Sequence, residues 1–156
     1  MQIHLLAVGT RMPDWVSRGF EEYTRRMPPE CRLKLVEIAA GQRGKNQPVA
    51  RAIAEEGRRM EKAVPAGHRV IALDERGEAW STEQLSKQLR NWLDGGQHVS
   101  LLVGGPDGLA ETCLQRAGQR WSLSPLTLPH PLVRVIIAEQ LYRAWSLLAG
   151  HPYHRS

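Results

Sequence analysis

Short apolar runs alternate along the chain with longer stretches in which apolar and charged residues recur at helical spacing. This alternation predicts strands at 3–8, 32–38, 69–73 and 98–103, and helices at 13–27, 48–64, 82–93 and 131–150. Strands separated by helices typically form a parallel sheet that is covered on both faces. The pattern therefore predicts an α/β fold with a mostly parallel sheet flanked by helices. We find no repeat or linker, which predicts a single domain over residues 1–156.

Two of the predicted helices carry recognisable end signals. Ser81 is a suitable N-cap for the helix at 82–93, whereas Pro131 and Gly150 mark the first turn and the end of the last helix. The helix at 48–64 is predicted to be amphipathic, with an apolar stripe made of Val49, Ile53, Met60 and Val64.

The predicted helix at 131–150 is apolar over most of its surface. Its polar positions form one stripe, which consists of Glu139, Gln140, Arg143 and Ser146. Such a helix either crosses the core or forms half of a dimer interface. Arg134 lies on the opposite side, so it either has a buried carboxylate, phosphate or carbonyl partner or extends its charged end to solvent near the helix start.

An apolar segment without helical or strand periodicity, Leu123–Pro129, precedes this helix. Pro125, Pro129 and Pro131 fix φ and favour extended conformations at the residues before them. Exposed loops are normally polar, so the sequence predicts that this loop is buried. Buried irregular backbone needs hydrogen-bond partners, which are either other backbone groups or a small polar ligand.

The charge of the chain is unevenly distributed. The formal net charge is +5, and residues 1–69 carry +5, residues 70–111 carry −4 and residues 112–156 carry +4. Two basic ends around an acidic middle predict a basic face to which both termini contribute. Such a face suits a polyanion such as RNA, although many basic proteins bind no nucleic acid, so charge alone leaves this open.

Cysteine usage and hydropathy limit the environment of the protein. Cys31 and Cys113 are isolated in sequence and match no metal-ligand spacing, so we expect two reduced, buried thiols and no metal. No apolar run approaches the roughly 20 residues of a membrane span, and the first residues lack the layout of a signal peptide. We expect a cytoplasmic protein without membrane or metal partners.

Two glycine-containing segments invite comparison with nucleotide-binding loops, and both lack the required spacing. The basic segment 40–46, with Arg43 and Lys45, is either a solvated turn or a contact to RNA phosphates. The segment 104–108 follows a strand and is either a tight turn with positive φ or a surface that lets a ligand approach the backbone. Asp74 follows another strand and is expected to cap a turn rather than to bind a ribose or a cation.

The C-terminal tail, residues 151–155, combines an aromatic ring, two imidazoles and a guanidinium. Tyr153 and His154 are suited to stacking on a nucleobase, and Arg155 is suited to binding a phosphate. Chain ends are also often frayed and inert. The tail therefore indicates an RNA contact without establishing one.

Several stretches together resemble a known family. LDERG at 73–77, LLVGGPDG at 101–108 and SLSPLTLPHPLVRVIIAEQLYRAWSLLAGHPYHR at 122–155 occur in the order typical of the small SPOUT methyltransferases that modify large-subunit ribosomal RNA. The resemblance also covers AVGTRMPDW at 7–15 and AGQRGKN at 40–46, so it extends nearly from end to end.

The resemblance implies a fold that periodicity alone does not predict, with a deep trefoil knot on the C-terminal side and a homodimeric assembly. General topology rules alone predict an unknotted chain. The implied cofactor is S-adenosylmethionine, held in a bent form between loops of the knot. The implied cofactor-binding residues are Leu73, Gly104, Gly105 and the run Leu123, Ser124, Pro125, Leu126, Thr127 and Leu128, whose backbone would contact the adenine edge.

The implied reaction is methylation of N3 of pseudouridine 1915 in 23S ribosomal RNA, on the assembled ribosome. The imide proton of N3 must leave before or during attack on the methyl group, and no metal is required. By residue chemistry, His154 would transfer the proton, Arg155 would stabilise the anion or bind phosphate, and Tyr153 would stack on the base. Tyr142 and Arg143 are further candidates. Orientation of the reactants alone is a second source of rate that needs no dedicated base.

In a protein of this size we expect no separate RNA-binding domain, so the dimer surface would recognise the RNA, with Arg43, Lys45 and Arg143 as candidate contacts. We expect a composite site, in which one subunit holds the cofactor and the partner's tail or basic surface reaches the RNA. The alternative from a different class is a non-catalytic ribosome-binding or assembly factor, which would have no reason to bind S-adenosylmethionine. A third alternative is a nucleotide-binding α/β enzyme, which the failed loop spacings disfavour.

Overall fold

The computed structural model describes residues 1–155, which form one sheet and a set of flanking helices. The strands are β1 (Gln2–Val8), β2 (Arg32–Ile38), β3 (Arg69–Ala79), β4 (Val99–Val103) and β5 (Gln119–Ser122). The helices are α1 (Asp14–Thr24), α2 (Val49–Ala63), α3 (Thr82–Gly95), α4 (Glu111–Arg116) and α5 (His130–Ala149), and a short 3-10 turn, Pro152–Arg155, follows α5.

The five strands form a single sheet in the order β2-β1-β4-β3-β5, and each neighbouring pair is parallel. The predicted parallel α/β architecture is therefore confirmed. Parallel strands place their carboxyl ends at one edge of the sheet, where proteins of this class bind ligands. The loops that follow β1, β4 and β5 all lie at this edge.

Helices cover both faces of the sheet. On one face, side chains of α1, α3 and α5 form the larger core, which includes Phe20, Leu89 and Trp92. On the other face, α2 and α4 pack over a smaller core that includes Met60 and Cys113. Full burial of a large apolar side chain contributes about 1.5–3 kcal/mol, so these two cores hold the layers together. Helix α5 contacts both α1 and α3, and its Ile137, Ala138 and Leu141 are fully buried.

The sequence analysis missed α4 and β5 and underestimated the length of β3. The strand predicted at 69–73 continues to Ala79, because β3 pairs with β5 again at Glu78 and Ala79 after a bulge that follows Leu73. The backbone N–H of Arg76 donates to the Asp74 carboxylate at 3.3 Å, so Asp74 does form the expected local turn, but within a strand. Helix α1 ends at Thr24, whereas the sequence predicted an end at Met27.

The apolar stripe predicted for α2 is partly wrong. Val49 is 47% exposed, and the buried face of the helix is formed by Ala52, Glu56, Gly57 and Met60. Ile53, Met60 and Val64 are buried or partly buried, as expected, and the carboxylate of Glu56 is buried in an ion pair with Arg43.

Cys31 and Cys113 are both buried and unpaired, as predicted. Burial raises the pKa of the Cys31 thiol to about 12. A buried thiol with a raised pKa is a poor nucleophile, which agrees with a packing role. Within residues 1–155, no helix has both the length and the apolar character that crossing a membrane requires.

Candidate functional site

A large cavity opens at the carboxyl edge of the sheet. Its volume is about 870 Å³, within the range of cavities that hold cofactors. Its walls include three chain segments: the bulged part of β3, the glycine turn (residues 104–108) after β4, and the proline-rich loop (residues 123–129) after β5.

The cavity brings together eight of the nine residues that the sequence singled out for a cofactor. These are Leu73, Gly104, Gly105, Leu123, Ser124, Leu126, Thr127 and Leu128. Pro125 is exposed and is not part of the lining that the structure describes. Segments that are distant in sequence therefore converge on one site, although no cofactor contact follows from the lining alone.

The prediction that the proline-rich loop is buried is wrong. Leu126 is 72% exposed, and Pro125 and Thr127 are also exposed. The loop follows β5, the last strand at one side of the sheet, so no further strand covers it and it forms an outer wall of the cavity. Its shape is held locally, because the backbone N–H of Leu126 donates to the Ser124 hydroxyl at 2.9 Å.

The glycine turn is a tight turn, as one of the two interpretations predicted. Gly108 has φ +83°, a conformation that residues with a side chain rarely adopt. Gly105 and Gly108 pair across the turn, and a Cβ added to Gly104 would lie 2.4 Å from the carbonyl carbon of Gly108. Glycine is therefore required by the turn itself, whatever the turn binds.

Charged groups of both signs surround the cavity. Its lining includes the carboxylates of Asp74, Glu75, Asp107 and Glu111 and the guanidinium groups of Arg76 and Arg120. A ligand that carries an ammonium or another cation together with a carboxylate would find partners for each. The apolar part of the lining, which includes Leu73 and Trp121, suits a flat heterocycle.

His130, which the sequence analysis did not single out, also lines the cavity. Its Nδ1 is buried without a hydrogen-bond partner among the described residues. Burial lowers the pKa of this imidazole, and the charge of Arg134 lowers it further. The neutral form of the imidazole is therefore favoured. The sequence feature that could have identified His130 is its position between Pro129 and Pro131 at the start of an apolar helix.

Arg134 fixes the start of α5 against the sheet. It is 1% exposed, and its guanidinium donates to the Glu37 carboxylate at 2.8 Å and to the Gly9 carbonyl at 2.8 Å. The expectation of a buried partner is confirmed, and the alternative of a solvated head group is wrong. Because His130 lies one helical turn before Arg134, these contacts also place His130 at the cavity.

The basic segment 40–46 is tied to the glycine turn by Arg43. The Arg43 guanidinium donates to Glu56 at 2.7 Å and to Asp107 at 3.0 Å. The hydrogen bond to Glu56 makes the largest contribution to raising the pKa of Arg43, and the bond to Asp107 adds to it. Arg43 is therefore more than part of a solvated turn, whereas Lys45 is exposed.

The C-terminal tail packs against α5 of the same chain. The Tyr153 hydroxyl donates to the Glu139 carboxylate at 2.8 Å, and its ring lies 4.7 Å from that of Tyr142. The guanidinium of Arg143 lies over the Tyr153 ring at 4.8 Å from the ring centroid. Burial raises the pKa of Tyr153, so this phenol stays protonated. His154 lies 2.5 Å from the carbonyl of His151, measured from its Nδ1.

The tail begins at the end of α5, whereas the cavity lies at the start of this helix. His130, at the first residue of α5, lines the cavity, whereas Tyr153, His154 and Arg155 follow its last turn. The tail folds back along the helix, so that Tyr153 contacts Glu139, which lies nine residues or about 14 Å along the axis from His130. Within one chain, the structure therefore does not bring the predicted catalytic residues to the predicted cofactor-binding residues.

Three histidines, His4, His68 and His98, lie together at the opposite edge of the sheet. The ring centroids of His4 and His68 are 4.8 Å apart, and those of His68 and His98 are 5.3 Å apart. The backbone N–H of Gln2 donates to His98 Nδ1, so this nitrogen is already occupied. Over residues 1–155, no group of three or more His, Cys, Asp or Glu side chains is arranged to hold a metal ion.

Comparison with known proteins agrees with this geometry. A family described as "Predicted SPOUT methyltransferase" matches residues 1–154. A "Ribosomal RNA large subunit methyltransferase H" from Thioalkalivibrio sulfidiphilus (strain HL-EbGR7) is 58% identical over 155 residues, which covers 99% of both chains.

Solved structures show the same fold at low sequence identity. A "Probable Methyltransferase" from Bordetella pertussis Tohama I superposes with a TM-score of 0.57 at 15% identity, covering 91% of this chain and 93% of the other. A tRNA (m1G37) methyltransferase from Aquifex aeolicus has a TM-score of 0.51 at 14% identity, covering 92% of this chain and 70% of the other. From the family match and the full-length relative, the chain belongs to the SPOUT methyltransferase family.

Proposed function

We propose that this protein is an S-adenosylmethionine-dependent methyltransferase that methylates N3 of pseudouridine 1915 in 23S ribosomal RNA. The observation that carries the proposal is the cavity at the carboxyl edge of the sheet, walled by the glycine turn and the proline-rich loop. The full-length relative, whose name describes a ribosomal RNA large subunit methyltransferase, supports the choice of RNA. The assembled ribosome as substrate would place the activity in the cytoplasm.

The residues of the cavity are compatible with S-adenosylmethionine. The apolar walls at Leu73 and Leu123 suit the adenine, and exposed backbone groups of the proline-rich loop suit its polar edge. The carboxylates of Asp74 and Glu111 would offset the positive charges of the ligand. His130 also lines the cavity and would lie beside a bound molecule. When bound, the cofactor supplies an electrophilic methyl group.

The tail residues would act on the acceptor base. His154 would take up the imide proton, and Arg155 would stabilise the resulting anion or bind a neighbouring phosphate. Tyr153 already packs against Tyr142 and Arg143, so a base that stacked on it would extend an existing aromatic cluster.

A composite site in a homodimer is supported by the cavity lining, which does not include Tyr153, His154 or Arg155 of the same chain. Two copies with antiparallel α5 helices would bring the tail of one subunit to the cavity of the other. Partly exposed apolar residues of α5, Leu132, Val135 and Ile136, offer a surface for this association. We further propose that the C-terminal segments form the trefoil knot that the resemblance implies.

Recognition of the RNA would use the basic surface and the assembled ribosome. Lys45 is exposed on the basic segment, and we propose that it contacts phosphates together with Arg43 and Arg143. Such contacts carry little sequence information. Specificity for one nucleotide would therefore come from the shape of the ribosomal site and from the fit of the base.

Isothermal titration calorimetry with S-adenosylmethionine separates this proposal from its main alternative. A methyltransferase binds the cofactor with measurable heat, whereas a non-catalytic ribosome-binding or assembly factor has no reason to bind it. Absence of binding would leave the assembly factor as the better description.

Mixed dimers test the composite site. One subunit carries a truncation after Gly150, which removes the tail, and the other carries a substitution that abolishes cofactor binding. Neither homodimer should transfer methyl groups, whereas the mixed dimer should regain part of the activity in its one intact site. If mixed dimers never regain activity while dimerisation persists, the shared site is wrong.

A further inference from the structure

One guanidinium group connects two loops and a helix beside the cavity. Arg43 Nε donates to the Asp107 carboxylate at 3.0 Å, and Arg43 Nη1 donates to the Glu56 carboxylate at 2.7 Å. The same Nη1 also donates to the Gly41 carbonyl at 3.2 Å. Arg43 thus bridges the basic segment, helix α2 and the glycine turn, which are distant in sequence.

The α2 end of this bridge is rigid. Glu56 is 3% exposed, and its carboxylate also accepts a hydrogen bond from the backbone N–H of Gly41 at 3.0 Å. A buried carboxylate requires a cation or several donors, so the position of Arg43 is strongly determined. A Cβ added to Gly41 would lie 2.3 Å from the carbonyl oxygen of Ala52, so the basic segment also packs directly on α2.

The other end of the bridge is a residue of the cavity. Asp107 lies in the glycine turn, lines the cavity and has a side chain that is 37% exposed. The hydrogen bond between Gly108 N–H and the Gly105 carbonyl is internal to the turn and does not fix the turn relative to the rest of the protein. The contact with Arg43 does fix the turn, because Arg43 also binds Glu56 on the buried face of α2.

We propose that Arg43 is a positioning residue for the cofactor-binding wall, in that it holds the glycine turn through Asp107 while it is itself fixed by buried Glu56. The inference rests on the proposed function, since it assumes that the cavity binds S-adenosylmethionine. Arg43 does not line the cavity, so it acts through the turn. The phosphate contact of the basic segment then depends chiefly on Lys45.

The physical effect is preorganisation. A turn that samples several positions binds its ligand more weakly, in proportion to the fraction of time it spends in the competent one. Arg43→Lys keeps a cation beside Glu56, but one ammonium cannot span two carboxylates as the planar guanidinium does. This variant should therefore fold normally and lose only the hold on the turn.

The test measures the affinity for S-adenosylhomocysteine by calorimetry in four variants of the full chain. Arg43→Lys and Asp107→Asn should each weaken binding about tenfold, and the double variant should lose little more than either alone because both remove one contact. Arg58→Gln removes an exposed cation from α2, the helix that carries Glu56, and this variant should bind like the wild type. Unfolding midpoints are measured in parallel.

Two results would overturn the inference. If Arg43→Lys and Asp107→Asn bind as tightly as Arg58→Gln, the turn does not need the bridge. If the variants show lower unfolding midpoints with unchanged affinity, Arg43 is merely structural. Failure of the wild-type protein to bind S-adenosylhomocysteine would overturn the proposed function as well. This outcome is distinguishable from the other two because Arg58→Gln would also fail to bind.

Discussion

The hydroxyl of Tyr153 donates a hydrogen bond to the carboxylate of Glu139 at 2.8 Å, which fastens the C-terminal tail to its own helix α5. Glu139 also accepts from Arg143 Nε at 2.9 Å, so one carboxylate fixes both the tail and the cation above the Tyr153 ring. Glu139 lies nine residues after His130, so the Tyr153 hydroxyl is held about 14 Å along the helix axis from the start of α5. Within one chain, Tyr153, His154 and Arg155 are not part of the cavity lining.

Replacement of His154 by alanine should separate chemistry from cofactor binding. His154 lies in the tail and is not part of the cavity lining, so affinity for S-adenosylmethionine should stay within twofold of the wild type. Loss of a general acid–base group should lower the rate of methyl transfer by about 10²–10⁴-fold. Single-turnover kinetics over a range of pH provide the measurement. Full turnover with an unchanged pH dependence would exclude a proton-transfer role for His154.

Replacement of Arg134 by alanine should destabilise the fold by about 3 kcal/mol. The substitution leaves the Gly9 carbonyl without its donor, removes the partner of Glu37 and empties a fully buried volume. Urea unfolding measures the loss. Arg18→Ala, at an exposed position of α1, is the matched control and should change stability by less than about 0.5 kcal/mol. Similar values for the two variants would show that the buried contacts contribute little.

Substitution of Gly104 by alanine should disturb the cavity. The added Cβ would lie 2.4 Å from the carbonyl carbon of Gly108, so the turn must move. We expect at least about a tenfold loss of affinity for S-adenosylmethionine. Gly95→Ala is the control, because a Cβ there has nothing within 4 Å and should slightly stabilise α3 without altering affinity. Equal affinities in the two variants would contradict the assignment of the turn to the binding wall.

The histidine cluster should make stability depend on pH. Burial lowers the pKa of His4 and His68, and the nearby charges of Lys34 and His98 lower that of His4 further. Their neutral forms are thus favoured by folding. Stability is full above the ordinary histidine value of 6.5 and falls as the pH decreases from there toward the lowered values, because the unfolded chain takes up protons first.

Urea unfolding above and below pH 6.5 tests this expectation. The double variant His4→Gln, His68→Gln should show a smaller loss on acidification than the wild type. His130 has a lowered pKa as well and should contribute in the same direction, so some pH dependence should persist in the variant. An identical pH dependence in both proteins would show that the cluster does not resist protonation.

Most of the fold could be predicted from the sequence because its signals are local. Strands such as β1 and β4 are continuous apolar runs, and α5 has a proline at its start and Gly150 in the left-handed conformation at its end. Elements without such signals were missed. Helix α4 has six residues and β5 has four, too few to display a period.

The candidate site was predictable in part, since the cavity gathers segments that the sequence had already marked. The sequence could not indicate contacts that only the tertiary structure creates. The pairing of Arg43 with Asp107 joins residues 64 positions apart, and that of Arg134 with Glu37 joins residues 97 positions apart. The exposure of Leu126 likewise depends on its place beside the last strand of the sheet.

Transfer of a labelled methyl group tests the central claim most directly. The protein is incubated with methyl-labelled S-adenosylmethionine and, in parallel, with intact ribosomes, free large-subunit RNA and ribosomes that lack pseudouridine. We predict that label appears only on intact ribosomes that contain pseudouridine, and that it lies on N3 of that base. Absence of label from all three substrates, despite cofactor bound to the protein, would contradict the proposed target.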